Sequence, residues 1–304
     1  MKRFVIGMAV AISLLGGASP VRAQEKIELK ENMKQGDTFT VTTFMEQSME
    51  IHVKAGPQEM TQKVMNRREE VLGTQVQAVD KGRPTKVRRH YVTQKETNEN
   101  SQAPGAKSKD GHDAGRIYVI TGLGQDRKVE CLNDKIDPEK GKTGIKNNPQ
   151  GMLLPGRAVA VGEAWDVPAD VLKQLFFDDK GKSPEQVSMK CKLVAVDDEK
   201  GVKSARISVD LALVQKQGEG PEMTMTLVGE GRFGIANGTF MGWELKGKTV
   251  IKGDQKGPNG EEISMTGEGP ITIRELWAAG KADLGDEKKK LEVKGGDDDG
   301  DDGE

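Results

Sequence analysis

The pattern that most restricts how this chain can fold is an alternation of period two. Ala205, Ile207, Val209, Leu211 and Leu213 are apolar, and Arg206, Ser208 and Asp210 lie between them. Successive side chains of a β-strand point to opposite faces, so this spacing buries one face and leaves the other in water. The same pattern recurs. Near the front, Phe39, Val41, Met45, Met49, Ile51 and Val53 share odd positions, with Thr43 and Gln47 among them. Later come Met223, Met225 and Leu227, then Ile263 with Met265, then Ile271 with Ile273. Turn formers separate the runs: Gly56-Pro57, Lys81-Gly82, Gly220-Pro221 and Asn237-Gly238. Long strands, short turns and one polar face specify antiparallel sheet. The expected fold class is mainly β, with long antiparallel strands in a curved sheet or half-barrel meander. One short central helix is expected over Pro168 to Phe177, where Pro168 stands early and Val171, Leu172 and Leu175 form an apolar stripe.

A weak internal repeat suggests two similar lobes. "QGDTF" (Gln35 to Phe39) and "VGEAW" (Val161 to Trp165) share a Gly, an acid and an aromatic, and "QAVDKG" is answered by "VAVDDEKG". Chance repetition of hairpin turns is the alternative. The boundaries read as 24–150 for an N-terminal β lobe and 151–284 for a C-terminal lobe that opens with the helix. Within the first, residues 95–116 are polar and read as a flexible loop. Residues 285–304 read as a disordered charged tail ending in "GGDDDGDDGE".

The first 23 residues have the organisation of a secretory signal peptide. Lys2 and Arg3 precede an apolar run from Phe4 to Leu15, and Val21-Arg22-Ala23 forms a small-residue cleavage site. Cleavage there leaves 43 basic side chains against 48 acidic ones, a mildly acidic balance that gives no call for nucleic acid. No later segment is apolar enough to span a membrane as a helix. The expectation is a soluble exported protein, periplasmic or extracellular.

In an oxidising compartment Cys131 and Cys191 are a candidate disulfide, which the loop-closure model values at about 4 kcal/mol. Two buried thiols that never meet are the alternative. Reaction chemistry is poorly represented. Gly229-x-Gly231-x-x-Gly234 matches a dinucleotide fingerprint but runs on into a strand-turn-strand pattern instead of a helix. His52, His90 and His112 have no ligand spacing, and the paired methionines suit a flexible core better than a copper(I) site. No nucleophile elbow or zinc-protease motif occurs. No catalytic residue, metal ligand or cofactor is therefore assigned. One charged cluster has a local address: Lys81, Arg83, Lys86, Arg88 and Arg89 form a candidate patch for an anionic partner, or else a solvated hairpin. Gly162 and Trp165 are expected as structural anchors, the Gly at a tight turn and the Trp buried at the start of the second lobe.

The segments "LKENMKQGDTFTVTTFMEQSMEI" and "LPGRAVAVGEAWDVP", followed by a closing meander, resemble an uncharacterised family of exported bacterial β-rich proteins with a Gly-Asp/Glu-x-Trp motif. A looser similarity is to half-barrels that carry lipoprotein. The resemblance transfers no catalytic residue; it implies a lipid or an envelope protein as partner. The functional expectation is an exported, non-catalytic binding protein of the cell envelope that holds an apolar ligand or lipid on a curved sheet. A structural or adhesive envelope module is the alternative, and a hydrolase is disfavoured.

Overall fold

A computed structural model describes residues 25–122, 127–135, 150–176, 184–199, 201–216, 220–257 and 261–288. The signal segment and the tail beyond residue 288 lie outside the described residues.

The strands in chain order are β1 (Ile27–Glu28), β2 (Thr38–Ala55), β3 (Gln58–Asp80), β4 (Arg83–Asn100), β5 (Ala103–Asp110), β6 (Ile117–Thr121) and β7 (Lys128–Cys131). A 3-10 turn (Gln150–Leu153) leads to β8 (Ala158–Val159) and β9 (Ala164–Val167), then the helix α1 (Ala169–Phe176). The remainder is β10 (Gln186–Glu199), β11 (Val202–Lys216), β12 (Glu222–Gly234), β13 (Thr239–Lys256) and β14 (Glu262–Ala279). β1 and β8 form a two-stranded sheet, and β5 pairs with β4 alone. β5 and the other 11 strands make one antiparallel sheet of 12, in the order β7-β6-β4-β3-β2-β14-β13-β12-β11-β10-β9 with β5 beside β4. The sheet is curved and does not close. The expected lobe boundary at 150/151 falls between β7 and β8, and the strands on its two sides are joined in that sheet where β14 pairs with β2.

Hairpin geometry follows from the turn residues. Lys81 and Gly82 both have positive φ, 49° and 79°, and the register closes Asp80 on Arg83 around them. That is the primed two-residue turn whose twist suits a hairpin. Curvature has a different source. On β12, β13 and β14, Gly229, Gly247 and Gly269 occupy positions of the apolar face. A Cβ on them would meet the carbonyl oxygens of Glu244, Thr226 and Ser48 at 1.9, 1.8 and 1.7 Å. Only glycine permits this approach, and such kinks bend a sheet. The apolar face that carries these glycines is the inner face of the sheet. Gln47 Nε2 crosses above Gly269 to reach the fully buried Thr249 hydroxyl at 2.9 Å.

Two apolar clusters fill the inner face. One gathers Leu193, Ile207, Leu227, Phe233 and Leu245 under α1, whose Leu172 is completely buried, together with Leu29 and Leu153 from the covering segments. The other gathers Met33, Phe39, Leu72, Val76, Tyr91 and Tyr118. Residues 95–116 depart from the expected loop. They complete β4, form β5 and turn toward β6. Polar pairs replace apolar alternation there: Lys95 faces Asp110, Glu96 faces Lys109 and Thr97 faces Ser108. Opposite charges across two strands hold a hairpin that has no core face of its own.

Candidate functional site

The entry to each repeat is built the same way. Gly36 and Gly162 have φ of 94° and 90°. Gly36 N donates to Val76 O at 2.8 Å and Gly162 N to Leu193 O at 2.7 Å; Val76 N and Leu193 N return the bond to Asp37 O and Glu163 O. The acid closes the turn in both copies, as Lys34 N donates to Asp37 Oδ2 and Ala160 N to Glu163 Oε2. That backbone donor, aided by Arg157, holds the Glu163 carboxyl below its ordinary range. The aromatic is buried in both, Phe39 at 3% exposure and Trp165 at 8%. Trp165 Nε1 also donates to Leu153 O at 2.9 Å.

The register extends the match. Phe39 pairs with Thr74 as Trp165 pairs with Cys191, and Val41 with Leu72 as Val167 with Met189. A register shift follows Val76 on β3 and Leu193 on β10. On the following strand, Val87 answers Val76 and Ile207 answers Leu193.

The basic cluster does not form one surface. Lys81, in the turn, and Arg83 line one cleft of about 500 Å³ with Glu31 and Gly151. Arg88 and Arg89, adjacent on β4, point to opposite faces. Arg89 lies inside, where it hydrogen-bonds Tyr91. Arg88 lies outside and is engaged by the chain's own C-terminal segment. Its Nη2 donates to Leu284 O at 3.0 Å and to Gly285 O at 3.2 Å, and its Nη1 pairs with Glu287. His90 Nδ1 stands 3.3 Å from Asp283 Oδ1 in the same strap. The anionic partner of Arg88 is thus in part the protein itself, and the start of the segment expected as a disordered tail, 285–288, is held in place.

The candidate disulfide is also corrected. Cys131 lies on β7 and Cys191 on β10, at opposite ends of the strand order and against different apolar clusters, and both are free thiols. A shared inward face on so wide a sheet does not make them neighbours. Burial, with Asp210 and Asp166 nearby, pushes the Cys191 thiol up to about 12. The dinucleotide-like glycines lie within β12. His52 is exposed, bonded to Thr61 at 2.9 Å. Among the described residues no three His, Cys, Asp or Glu side chains are grouped to hold a metal ion, and no helix is long and apolar enough to cross a membrane.

Two features of the inner face remain, and both lie beyond the clusters. Outward from the glycine band, apolar alternation continues although the covering segments stop. Ile51, Val53, Ile251, Ile263 and Met265 are half-buried, and Met60 is 41% exposed. The opposite face of the same strands is polar, with His52, Lys54 and Lys252 exposed. Beside this surface runs a polar file that sequence reasoning missed. Glu70 and Gln94, paired across β3 and β4, are 9% and 3% exposed. Gln94 Nε2 donates to Glu70 Oε2 at 2.8 Å, and its Oε1 accepts from Asp113 N at 3.0 Å. Arg68 Nη2 also donates to Glu70 Oε2, at 2.9 Å. Burial pulls the Arg68 guanidinium down, but Glu70 outweighs it and holds the group above its ordinary range.

No family model and no curated protein matches the chain. Solved structures that align with it do so loosely. An outer membrane channel from Pseudomonas putida F1 is 7% identical, covering 82% of this chain and 98% of its own, with a TM-score of 0.21. A domain described as that of an outer membrane lipoprotein-sorting protein, from Vibrio parahaemolyticus, is 8% identical over 77% of this chain and 83% of its own, with a TM-score of 0.12. A DUF1329 family protein from Desulfovibrio piger is 7% identical over the same shares, with a TM-score of 0.11. Superposition this loose leaves the architecture to rest on the strand register alone.

Proposed function

We propose that this protein is an exported, non-catalytic binding protein of the cell envelope, and that it takes an apolar ligand on the inner face of its curved sheet. The observation that supports this reading is the apolar alternation that outruns the core. A strand end that served only to extend a hairpin would be polar on both faces, as β4 and β5 are. Here five aliphatic or thioether side chains, Ile51, Val53, Ile251, Ile263 and Met265, stay partly exposed on one face of three neighbouring strands, β2, β14 and β13. Each keeps at most about a third of its surface exposed, so covering it yields about 0.5 kcal/mol and the group offers about 2.5 kcal/mol of gross driving force before the costs of association. Methionine adapts to ligands of differing shape, which suits an open sheet surface.

The test is titration of the purified protein, without its first 23 residues, with a solvatochromic apolar probe. Saturable binding that is displaced by long-chain alcohols is expected. A linear, non-saturable response, together with no lipid in an organic extract of the purified protein, would remove the proposal.

A further inference from the structure

The two repeats differ at one equivalent pair, and the difference identifies a ligand group. The register that aligns Leu72–Tyr91 with Met189–Leu211 also aligns Glu70–Gln94 with Val187–Leu213. The first repeat needs one extra residue, Val92, to keep this correspondence, and its β3–β4 register shifts there. At the same place in the same fold, one copy therefore buries a carboxylate and an amide and the other buries two aliphatic side chains. Packing does not require polarity at this position. Taking even a paired carboxylate out of water carries a desolvation cost that an aliphatic pair avoids, so its presence calls for another role.

What the pair does in this structure is fix Arg68. Asp113 N–H orients Gln94, Gln94 and Arg68 both donate to one oxygen of Glu70, and the guanidinium is held on the inner face. Its side chain is 45% exposed. Among the described residues its Nε and Nη1 have no hydrogen-bond partner. Glu96 lies opposite it on β4 and is itself approached by Lys109 Nζ at 3.5 Å. Met45 lies opposite it on β2, and from there the inner face of β2 and β3 runs outward past the polar pair Gln47–Asn66 to Met49 and Val64, Ile51 beside Gln62, and Val53 with Met60. The eight steps from Arg68 to Met60 span about 27 Å at strand rise, enough for a long acyl chain.

We propose that Arg68 anchors the head group of a single-chain amphiphile bearing a carboxylate, with the acyl chain lying along the inner face of β2 and β3. Glu70 and Gln94 are positioning residues. This rests on the apolar-ligand reading above and names the class of ligand. A carboxylate oxygen can accept a charge-assisted hydrogen bond from Nε–H or from Nη1–H, which lie on either side of the Nη2 that Glu70 holds. A dianionic phosphate would be repelled by Glu70 and Glu96, which flank it, so the carboxylate is the better fit.

The experiment is displacement of a fluorescent fatty-acid probe at pH 8 by laurate, dodecanol, dodecyl phosphate and dodecyltrimethylammonium. The unaltered protein should bind laurate at least tenfold more tightly than dodecanol, with dodecyl phosphate weaker than laurate and the cationic chain weakest. Arg68→Met should abolish the laurate preference and leave dodecanol within twofold. Glu70→Val with Gln94→Leu, which copies the aliphatic pair of the second repeat, should reduce the preference while circular dichroism shows the same fold. Equal binding of laurate and dodecanol by the unaltered protein would overturn the anchor and leave the apolar-ligand reading standing. A preference that survives Arg68→Met would overturn it too, and dodecyl phosphate binding as tightly as laurate would overturn the carboxylate. If none of the four displaces the probe, both proposals fall.

Discussion

Copying the Val187–Leu213 pair into the first repeat should show how far Glu70 and Gln94 act as a unit. Glu70→Val alone removes the acceptor of two donors, leaving Gln94 Nε2 buried without a partner and releasing Arg68. An orphaned buried donor costs about 1–3 kcal/mol, so a loss of about 2 kcal/mol is expected. Gln94→Leu alone leaves Glu70 buried with Arg68 as its remaining partner and deprives Asp113 N–H of its acceptor, again costing about 2 kcal/mol. In the double variant the two aliphatic side chains meet each other, as they do in the second repeat. Only the Asp113 N–H, which is half-buried, is then left unsatisfied, for about 1 kcal/mol. Independent effects would sum to about 4 kcal/mol, so the cycle should return a coupling of about 3 kcal/mol. Urea unfolding followed by tryptophan fluorescence measures each corner, provided the slopes agree. A double variant that loses the full sum would refute both the equivalence of the two positions and the claim that polarity there is unnecessary for folding.

Further expectations come from single positions. Trp165→Ala should cost about 3–5 kcal/mol, because the indole is buried and donates to Leu153 O, and a variant with an unchanged melting temperature would deny the anchor role. Gly162→Ala forces a positive φ of 90° on an L side chain and should cost about 1–2 kcal/mol in thermal denaturation, with Gly36→Ala behaving alike. Cys191 should resist a thiol reagent at pH 8 until the protein unfolds, and mass spectrometry should find no Cys131–Cys191 bridge. Glu31 is 3% exposed, with one oxygen bonded to Gly151 N–H and the other without a partner, and burial raises its carboxyl above the ordinary 4.5. The folded state therefore holds that proton more tightly than the unfolded chain. The resulting stability is full below pH 4.5 and is lost as pH rises through the folded value. Glu31→Gln should accordingly be more stable than the parent at pH 7, with the gain shrinking toward pH 4; a gain that grows on acidification would contradict this.

The strands were legible because period-two alternation is local: Ala205 to Leu213 states its own inner face, and the glycine turns state where each hairpin ends. The Gly-acid-x-aromatic echo was visible for a related reason, since the turn needs glycine at positive φ and the acid caps it within three residues. Residues 95–116 misled because their pairing is charge on charge with no buried face to impose a pattern. The role of Arg88 was out of reach because its partners, Leu284 to Glu287, lie almost 200 residues away along the chain. Glu70 and Gln94 interrupt their strands as ordinary polar residues, and nothing local says that both are turned inward. That follows only from the register of β3 on β4, with its extra residue at Val92.

The most direct test of the central claim is where a ligand sits. A fatty acid carrying a photoactivatable diazirine at its tail should be crosslinked to the purified protein and the adducts mapped by peptide mass spectrometry. Adducts on Ile51, Val53 and Met60, suppressed by excess laurate, are the expected result. Adducts confined to the opposite face at His52 and Lys54, or labelling that excess laurate does not suppress, would contradict it.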